Sequence, residues 1–215
     1  MSDHMERVQS IEERQVDDAW QRIETWLRLH APATVDMLLP GASEEEIDAL
    51  ERELGVRIPV GLRTFWRRCA GTRPVPAASF MLKERAPMRF DAVVAVYQEQ
   101  MLLQQRALDL SRRRGDGEGV ALWRAAWIPV FSFGAEDYVY GLCLEAETGR
   151  LWSWSEFAER QVEFDSLTDY LEEMADVLET PSLAMGGKPG LIEGALVWGP
   201  PNDADGQALW QPVVG

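Results

Sequence analysis

The chain has 215 residues, of which 46% are hydrophobic and 27% are charged, and its formal net charge is −15. This composition predicts one globular domain with an ample core and excludes a disordered chain. No apolar run approaches the length of a membrane span, and the first 15 residues are too polar and acidic for a secretory signal. We therefore expect a cytoplasmic protein without a membrane partner.

The first predicted helix follows a polar N-terminal tail, residues 1–15. Apolar residues recur at helical spacing from Val16 to Leu27, and they form one stripe along this helix.

Two further helices are predicted from their boundaries as well as from their periodicity. Ser43 and Glu46 form a capping box, acidic residues fill the first turn, and Gly55 follows the last apolar position. Pro59 then opens the next helix, residues 60–70, at a position where a missing N–H is tolerated. The two helices form a short helical hairpin.

The middle of the chain mixes short strands with one long helix. We predict one or two short strands within residues 80–90, a long helix over 92–113 and a flexible loop over 115–119. A strand over 126–133 follows. Because proline has no backbone N–H to donate, Pro129 predicts either that this strand lies at the edge of a sheet or that Pro129 lies at the beginning of the strand.

The remaining elements complete a sheet and cover it. Residues 138–144 are apolar on both faces, as in a central strand, and they pair with residues 151–154 as a hairpin. A last long helix contains the apolar stripe from Leu167 to Leu178. Residues 180–215 are rich in glycine and proline, and they either add edge strands or drape over the core.

The helical hairpin resembles the start of the SUKH superfamily, a domain shared by yeast cell-wall-synthesis regulators and many bacterial immunity proteins. The resemblance extends over roughly residues 16–179, through the predicted strands to the last helix. The positions that carry the family's pattern here are Ser43, Glu46, Ile47, Glu51, Leu54, Gly55, Ile58, Pro59, Leu62, Phe65 and Gly71.

The resemblance implies an α+β fold in which a mostly antiparallel sheet is covered by helices. It also implies an immunity protein, which neutralises a cognate toxin by binding it. Many such toxins attack nucleic acids and carry basic clefts. The alternative function is a regulatory or scaffold domain with a cellular partner.

The sequence contains no convincing catalytic, cofactor or metal site. The two histidines, His4 and His30, lie in the tail and at a helix end, and Cys69 and Cys143 fit buried free thiols. Two carboxylate pairs, Glu136 with Asp137 and Glu145 with Glu147, could serve acid–base or metal chemistry. Their turn contexts favour solvated side chains instead, so we expect a protein that is not an enzyme.

Charge is divided unevenly along the chain. Residues 57–114 carry twelve basic against four acidic side chains, whereas residues 134–179 carry two basic against thirteen acidic ones. The acidic region predicts a basic protein partner, and the net charge disfavours direct binding to nucleic acid. The alternative is a surface that only solubilises the protein. The candidate partner-binding residues are Glu136, Asp137, Trp154, Glu156, Glu159 and Glu163.

Trp154 has two interpretations. Trp152 and Trp154 point to the same face of their strand, where packing in the core is the simpler role. If Trp154 were exposed beside Glu156 and Glu159, it would be a suitable interface anchor.

Overall fold

The computed structural model describes residues 2–75, 78–114, 121–134, 139–155 and 160–213. It has the predicted α+β architecture, in which a five-stranded antiparallel sheet is covered by helices. A second sheet of three strands follows near the C-terminus. The helices are α1 (Ser2–His30), α2 (Pro32–Val35), α3 (Glu44–Leu54), α4 (Val60–Arg68), α5 (Phe90–Arg114), α6 (Leu167–Glu179) and α7 (Ala204–Leu209).

Helix α1 begins at Ser2, so the N-terminal residues that we expected to form a tail are helical. The predicted apolar stripe is buried, from Val16 to Leu27. The stripe packs against α4 and α6. Packing of an apolar face against other elements supplies most of the stability of a helix in a folded protein.

The predicted helical hairpin is confirmed together with its caps. The backbone N–H of Glu46 donates to the Ser43 hydroxyl at 3.3 Å, and the Ser43 N–H donates to the Glu46 carboxylate at 2.8 Å. Gly55 ends α3 in the left-handed conformation, with φ of 67°. Arg63 of α4 then bonds to the acidic residues Glu44 and Asp48, which joins the two helices.

The main sheet has the strand order β1-β2-β3-β4-β5, and every neighbouring pair is antiparallel. Strand β3 is central and pairs with β4, as predicted, with Cys143 opposite Trp152. Tyr138, which we placed in this strand, lies outside the described residues, as does the predicted loop over 115–119. The strands are β1 (Ala86–Pro87), β2 (Trp127–Ser132), β3 (Tyr140–Glu145), β4 (Leu151–Ser155) and β5 (Val162–Phe164).

Pro129 is the third residue of β2, and β2 is not an edge strand of the sheet. Strand β1 pairs only with Phe131 and Ser132, however, so no described strand pairs with Pro129 on the side of β1. The register of β2 against β3 shifts between Pro129 and Phe131, as at a β-bulge. Gly141 faces this bulge, and a side-chain Cβ there would come within 2.0 Å of the Phe131 carbonyl oxygen.

The C-terminal region packs on the core, and its described residues, 180–213, add no strand to the main sheet. It forms a separate antiparallel sheet in the order β7-β6-β8, from β6 (Lys188–Ile192), β7 (Ala195–Gly199) and β8 (Gln211–Pro212). Its apolar side chains still join the common core, because Leu196 and Trp198 are buried there. The Trp198 indole N–H donates to the Phe80 carbonyl at 2.7 Å, which fixes the small sheet to the main domain.

A line of aromatic contacts crosses the core from helix to sheet to helix. Trp20 of α1 meets Phe65 of α4 edge-on at 5.2 Å, and Phe65 meets Phe131 of β2 at 5.5 Å. Phe131 in turn contacts Tyr170 of α6 at 4.8 Å. Since these rings are fully buried, they hold α1 and α6 in fixed positions around the sheet.

Candidate functional site

A concentration of acidic side chains that is only partly balanced lies on the outer face of α6. The helix contains no arginine or lysine, and its acidic residues recur at spacings of three and four. We call this surface the acidic face, and it comprises Asp165, Asp169, Glu172, Glu173, Asp176 and Glu179.

Local sequence explains why these side chains point outward. Ser166 caps α6, because its hydroxyl accepts the N–H of Asp169 at 3.0 Å. The opposite face is apolar, and its side chains are buried against the sheet and α1. With one stripe buried, the acidic residues remain at the solvent.

Only part of this charge is balanced. Arg22 of α1 bonds to Asp176 at 2.6 Å and to Glu179 at 2.5 Å. These hydrogen bonds raise the pKa of Arg22 further, although partial burial opposes them. Within the described part of the chain, no cation comes within ion-pair distance of Asp169, Glu172 or Glu173.

Acidic residues near the C-terminal end of a helix interact unfavourably with the helix dipole, because this end carries partial negative charge. Asp176 and Glu179 occupy this position in α6, and the last turn contains no basic residue. Arg22 offsets the repulsion from outside the helix. The acidic residues in the last turn therefore do not favour the stability of α6 itself.

Among the candidate partner-binding residues, Glu163 is already paired within the protein. Both of its carboxylate oxygens accept from Arg85 at 2.9 Å, and one also accepts from Lys83 at 2.8 Å. Burial raises the pKa of Glu163, but the two cations outweigh burial and the net pKa is lowered. Glu163 stays ionised, and its charge is neutralised locally.

The other four acidic candidates, Glu136, Asp137, Glu156 and Glu159, lie outside the described residues. Their assignment to the partner-binding surface stays a prediction. The sequence prediction was drawn from the acidic region 134–179, which contains α6, but it did not single out the acidic residues of this helix. The missed signal was the helical spacing of acidic residues opposite an apolar stripe.

Trp154 does not provide the exposed anchor that an interface role requires. Its side chain is 2% exposed, and its ring meets Trp123 edge-on at 6.3 Å. This face of β4 is covered, so Trp154 packs in the core. Trp152 shares the face, as predicted, and lies 5.5 Å from the Trp127 ring.

The two carboxylates Glu145 and Glu147 lie in different environments and do not form a catalytic pair. Glu145 is 4% exposed, and its carboxylate accepts from Thr148 at 2.6 Å, from Trp152 at 3.3 Å and from Trp127 at 3.4 Å. Glu147 is exposed in the adjoining turn. The Glu145 carboxylate thus satisfies the buried indole N–H of Trp127 and the part-buried one of Trp152.

The cysteines lack the environment of a nucleophile. Cys69 and Cys143 are both free and buried. Burial raises the pKa of the Cys69 thiol to about 12 and that of Cys143 still further, so neither forms a thiolate near neutral pH. Within the described ranges, no group of three His, Cys, Asp or Glu side chains could hold a metal ion. No helix among these residues is long and apolar enough to cross a membrane.

Comparison with protein families identifies the class to which this fold and surface belong. The sequence matches the model of the SMI1 / KNR4 family (SUKH-1) over residues 41–173, more than half of the chain. The chain therefore belongs to this family, which is known for immunity proteins and related domains. A comparison with curated proteins found none that matches the sequence.

Proposed function

We propose that this protein is an immunity protein that binds a basic cognate toxin through the acidic face of α6. One observation carries the proposal: six acidic side chains share one outer surface, and only three of them are paired within the described residues, Asp176 and Glu179 with Arg22 and Asp165 with Arg150. Glu136, Asp137, Glu156 and Glu159 stay candidate partner-binding residues in the proposal. Family membership supports a binding role.

The physical advantage of such a surface is fast and selective association. Like charges on one face attract an oppositely charged protein over about 10 Å at moderate ionic strength, which increases the rate of encounter. Basic clefts that grip nucleic acid are suitable partners for this surface. An acidic protein that fills such a cleft blocks the substrate by occupying its place.

The proposal depends chiefly on Asp169, Glu172 and Glu173, which make no ion pair with the described residues. Asp176 and Glu179 also belong to the acidic face, but their ion pairs with Arg22 join α6 to α1 and partly neutralise them.

The test is capture of a partner from the native host, followed by a protection assay. Tagged wild-type protein and the charge-reversed double variant Glu172→Lys/Glu173→Lys are each incubated with host lysate, and retained proteins are identified by mass spectrometry. The matched control is Glu45→Lys/Glu53→Lys, since both side chains are exposed on α3 and make no ion pair with described residues.

We expect that the wild type and the control variant both retain one basic protein and that the α6 variant does not retain it. Expression of that protein alone should arrest growth, and co-expression of the wild type should restore it. A retained protein that is harmless alone would favour the regulatory or scaffold function. Retention by all three proteins would place the interface away from α6.

A further inference from the structure

A groove of about 510 Å³ lies beside the acidic face, where the end of α1 meets the end of α6. Its apolar wall is formed by the rings of Trp26 and His30, whose centres are 4.7 Å apart, and by Leu29. Arg22 and Glu179 line its side toward α6. The groove and the acidic face thus share Glu179.

Among the α1 side chains whose burial the structure describes, Leu29 is the most exposed large apolar one, with 74% of its surface accessible. The inward stripe of α1 includes Trp26 and Leu27, and Leu29 falls outside it. A single exposed leucine is ordinary on a protein surface. Here it stands at the rim of a groove with aromatic walls, where its removal from water by a partner would be favourable.

The charges around the groove select the chemistry of what enters it. Asp18 and Glu179 both line it, and the guanidinium of Arg22 is held by Asp176 and Glu179. A lysine or arginine of a partner would meet free or shared carboxylates at the rim. An acidic segment would meet repulsion from the whole face of α6.

We infer that this groove takes an apolar side chain from a basic segment of the partner, with lysine or arginine residues on either side of it. The inference rests on the proposed function, because it supplies the apolar centre that the acidic surface lacks. Interfaces of this kind combine a buried apolar anchor, which slows dissociation, with a charged rim that speeds association. Trp154, which is buried, cannot serve as that anchor.

The test uses a defined probe, an amphipathic helix of about 18 residues made only of leucine and lysine. A control peptide has the same composition, with its leucines scattered around the helix. Binding is measured by calorimetry, and the site is located by NMR of labelled leucine methyl groups and indole N–H groups. The Leu29→Ser variant assigns the Leu29 signals, and Leu209→Ser on α7, 54% exposed, is the matched control.

The inference expects saturable binding of the amphipathic peptide, with the largest shifts at Leu29 and Trp26. The scattered peptide should bind about tenfold more weakly, and Leu29→Ser should cost the amphipathic peptide about the same factor. Leu209→Ser should bind like the wild type. Equal binding of both peptides, or no effect of Leu29→Ser, would overturn the inference.

Other outcomes separate this inference from the proposed function. If Glu172→Lys/Glu173→Lys abolishes binding of the captured partner but Leu29→Ser does not, the acidic face stands and the groove is refuted. Shifts centred on Leu50 would move the apolar anchor to the groove between α3 and α5, which Leu50 lines together with Val94. Dimerisation of the wild type that Leu29→Ser abolishes would identify a second copy as the occupant and also refute the inference.

Discussion

Substitution of Glu145 by alanine tests the account of the tryptophan cluster. The carboxylate is 4% exposed and accepts hydrogen bonds from Trp127 and Trp152, from the Thr148 hydroxyl and from Arg124 at 3.2 Å. Alanine removes all of these acceptors at once. Two indole N–H groups then remain in the protein without a partner.

The expected loss follows from the burial of each donor. The two indole bonds are long, so each unpaired donor costs about 1 kcal/mol, the low end of the usual range. Thr148 is exposed and the Arg124 side chain is 55% exposed, so water replaces their bonds at little cost. Lost packing of the stem adds about 1 kcal/mol. The free energy of unfolding should fall by about 3 kcal/mol, or the Tm by about 6–12 °C.

The assay is urea unfolding followed by circular dichroism and tryptophan fluorescence. The matched control is Glu147→Ala, two residues away in the exposed turn, which should change the free energy of unfolding by less than about 0.5 kcal/mol. The account would be refuted if Glu145→Ala were as stable as the wild type, or if Glu147→Ala cost as much.

The same site predicts a dependence on pH. Burial raises the pKa of Glu145, but hydrogen bonds from Thr148, Trp127 and Trp152 and the charge of Arg124 outweigh it, so the net pKa is lowered. A lowered pKa stabilises the fold above the unfolded value of about 4.3, and this stability is lost as the pH falls through the folded value. The advantage of the wild type over Glu145→Gln should therefore shrink below about pH 4. An unchanged difference between pH 7 and pH 3 would contradict this.

Three further predictions concern the cap, the small sheet and the thiols. Ser43→Ala should lower the free energy of unfolding by about 1 kcal/mol and Ser43→Gly by a few tenths, measured in urea; equal losses would argue against the capping box. Trp198→Phe should cost about 1–2 kcal/mol without splitting the transition, since its indole bond to Phe80 is buried; a separate early transition would show that the small sheet unfolds by itself. Cys69 and Cys143 should not react with a chromogenic disulfide reagent at pH 8 until urea is added, because burial raises both pKa values; fast reaction of the native protein would refute their burial.

The parts of the fold that sequence predicted well depend on local signals. The hairpin of α3 and α4 was located from Ser43, Gly55 and Pro59, whose effects act within a few residues. The pairing of β3 with β4 followed from a short turn between two apolar runs. Such signals need no knowledge of distant contacts.

The parts that sequence missed depend on contacts between distant segments. The register shift next to Pro129 and the close approach of Gly141 to the Phe131 carbonyl both depend on the pairing of β2 with β3, which the residues around Pro129 do not predict. The small C-terminal sheet relies on the bond from Trp198 to Phe80, more than a hundred residues away. Its strands alone carry too weak a pattern to separate them from loops.

Contacts between distant segments also limit what the sequence says about the candidate site. Composition located the acidic region, but it could not show that Glu163 is neutralised by Lys83 and Arg85 from another part of the chain. Likewise, the alternating pattern of residues around Trp154 is compatible with a side chain in the core and with an exposed one. Burial in the folded protein decides between them.

The central claim is that the acidic face of α6 guides a basic partner to the protein. The most direct measurement is the association rate with the captured partner, in low and high salt, for the wild type and for Glu172→Lys/Glu173→Lys. The account predicts that salt slows the wild type markedly and that charge reversal slows association at low salt by about tenfold, with little change in dissociation. Association that is independent of both salt and charge reversal would contradict the account and leave α6 only a solubilising surface.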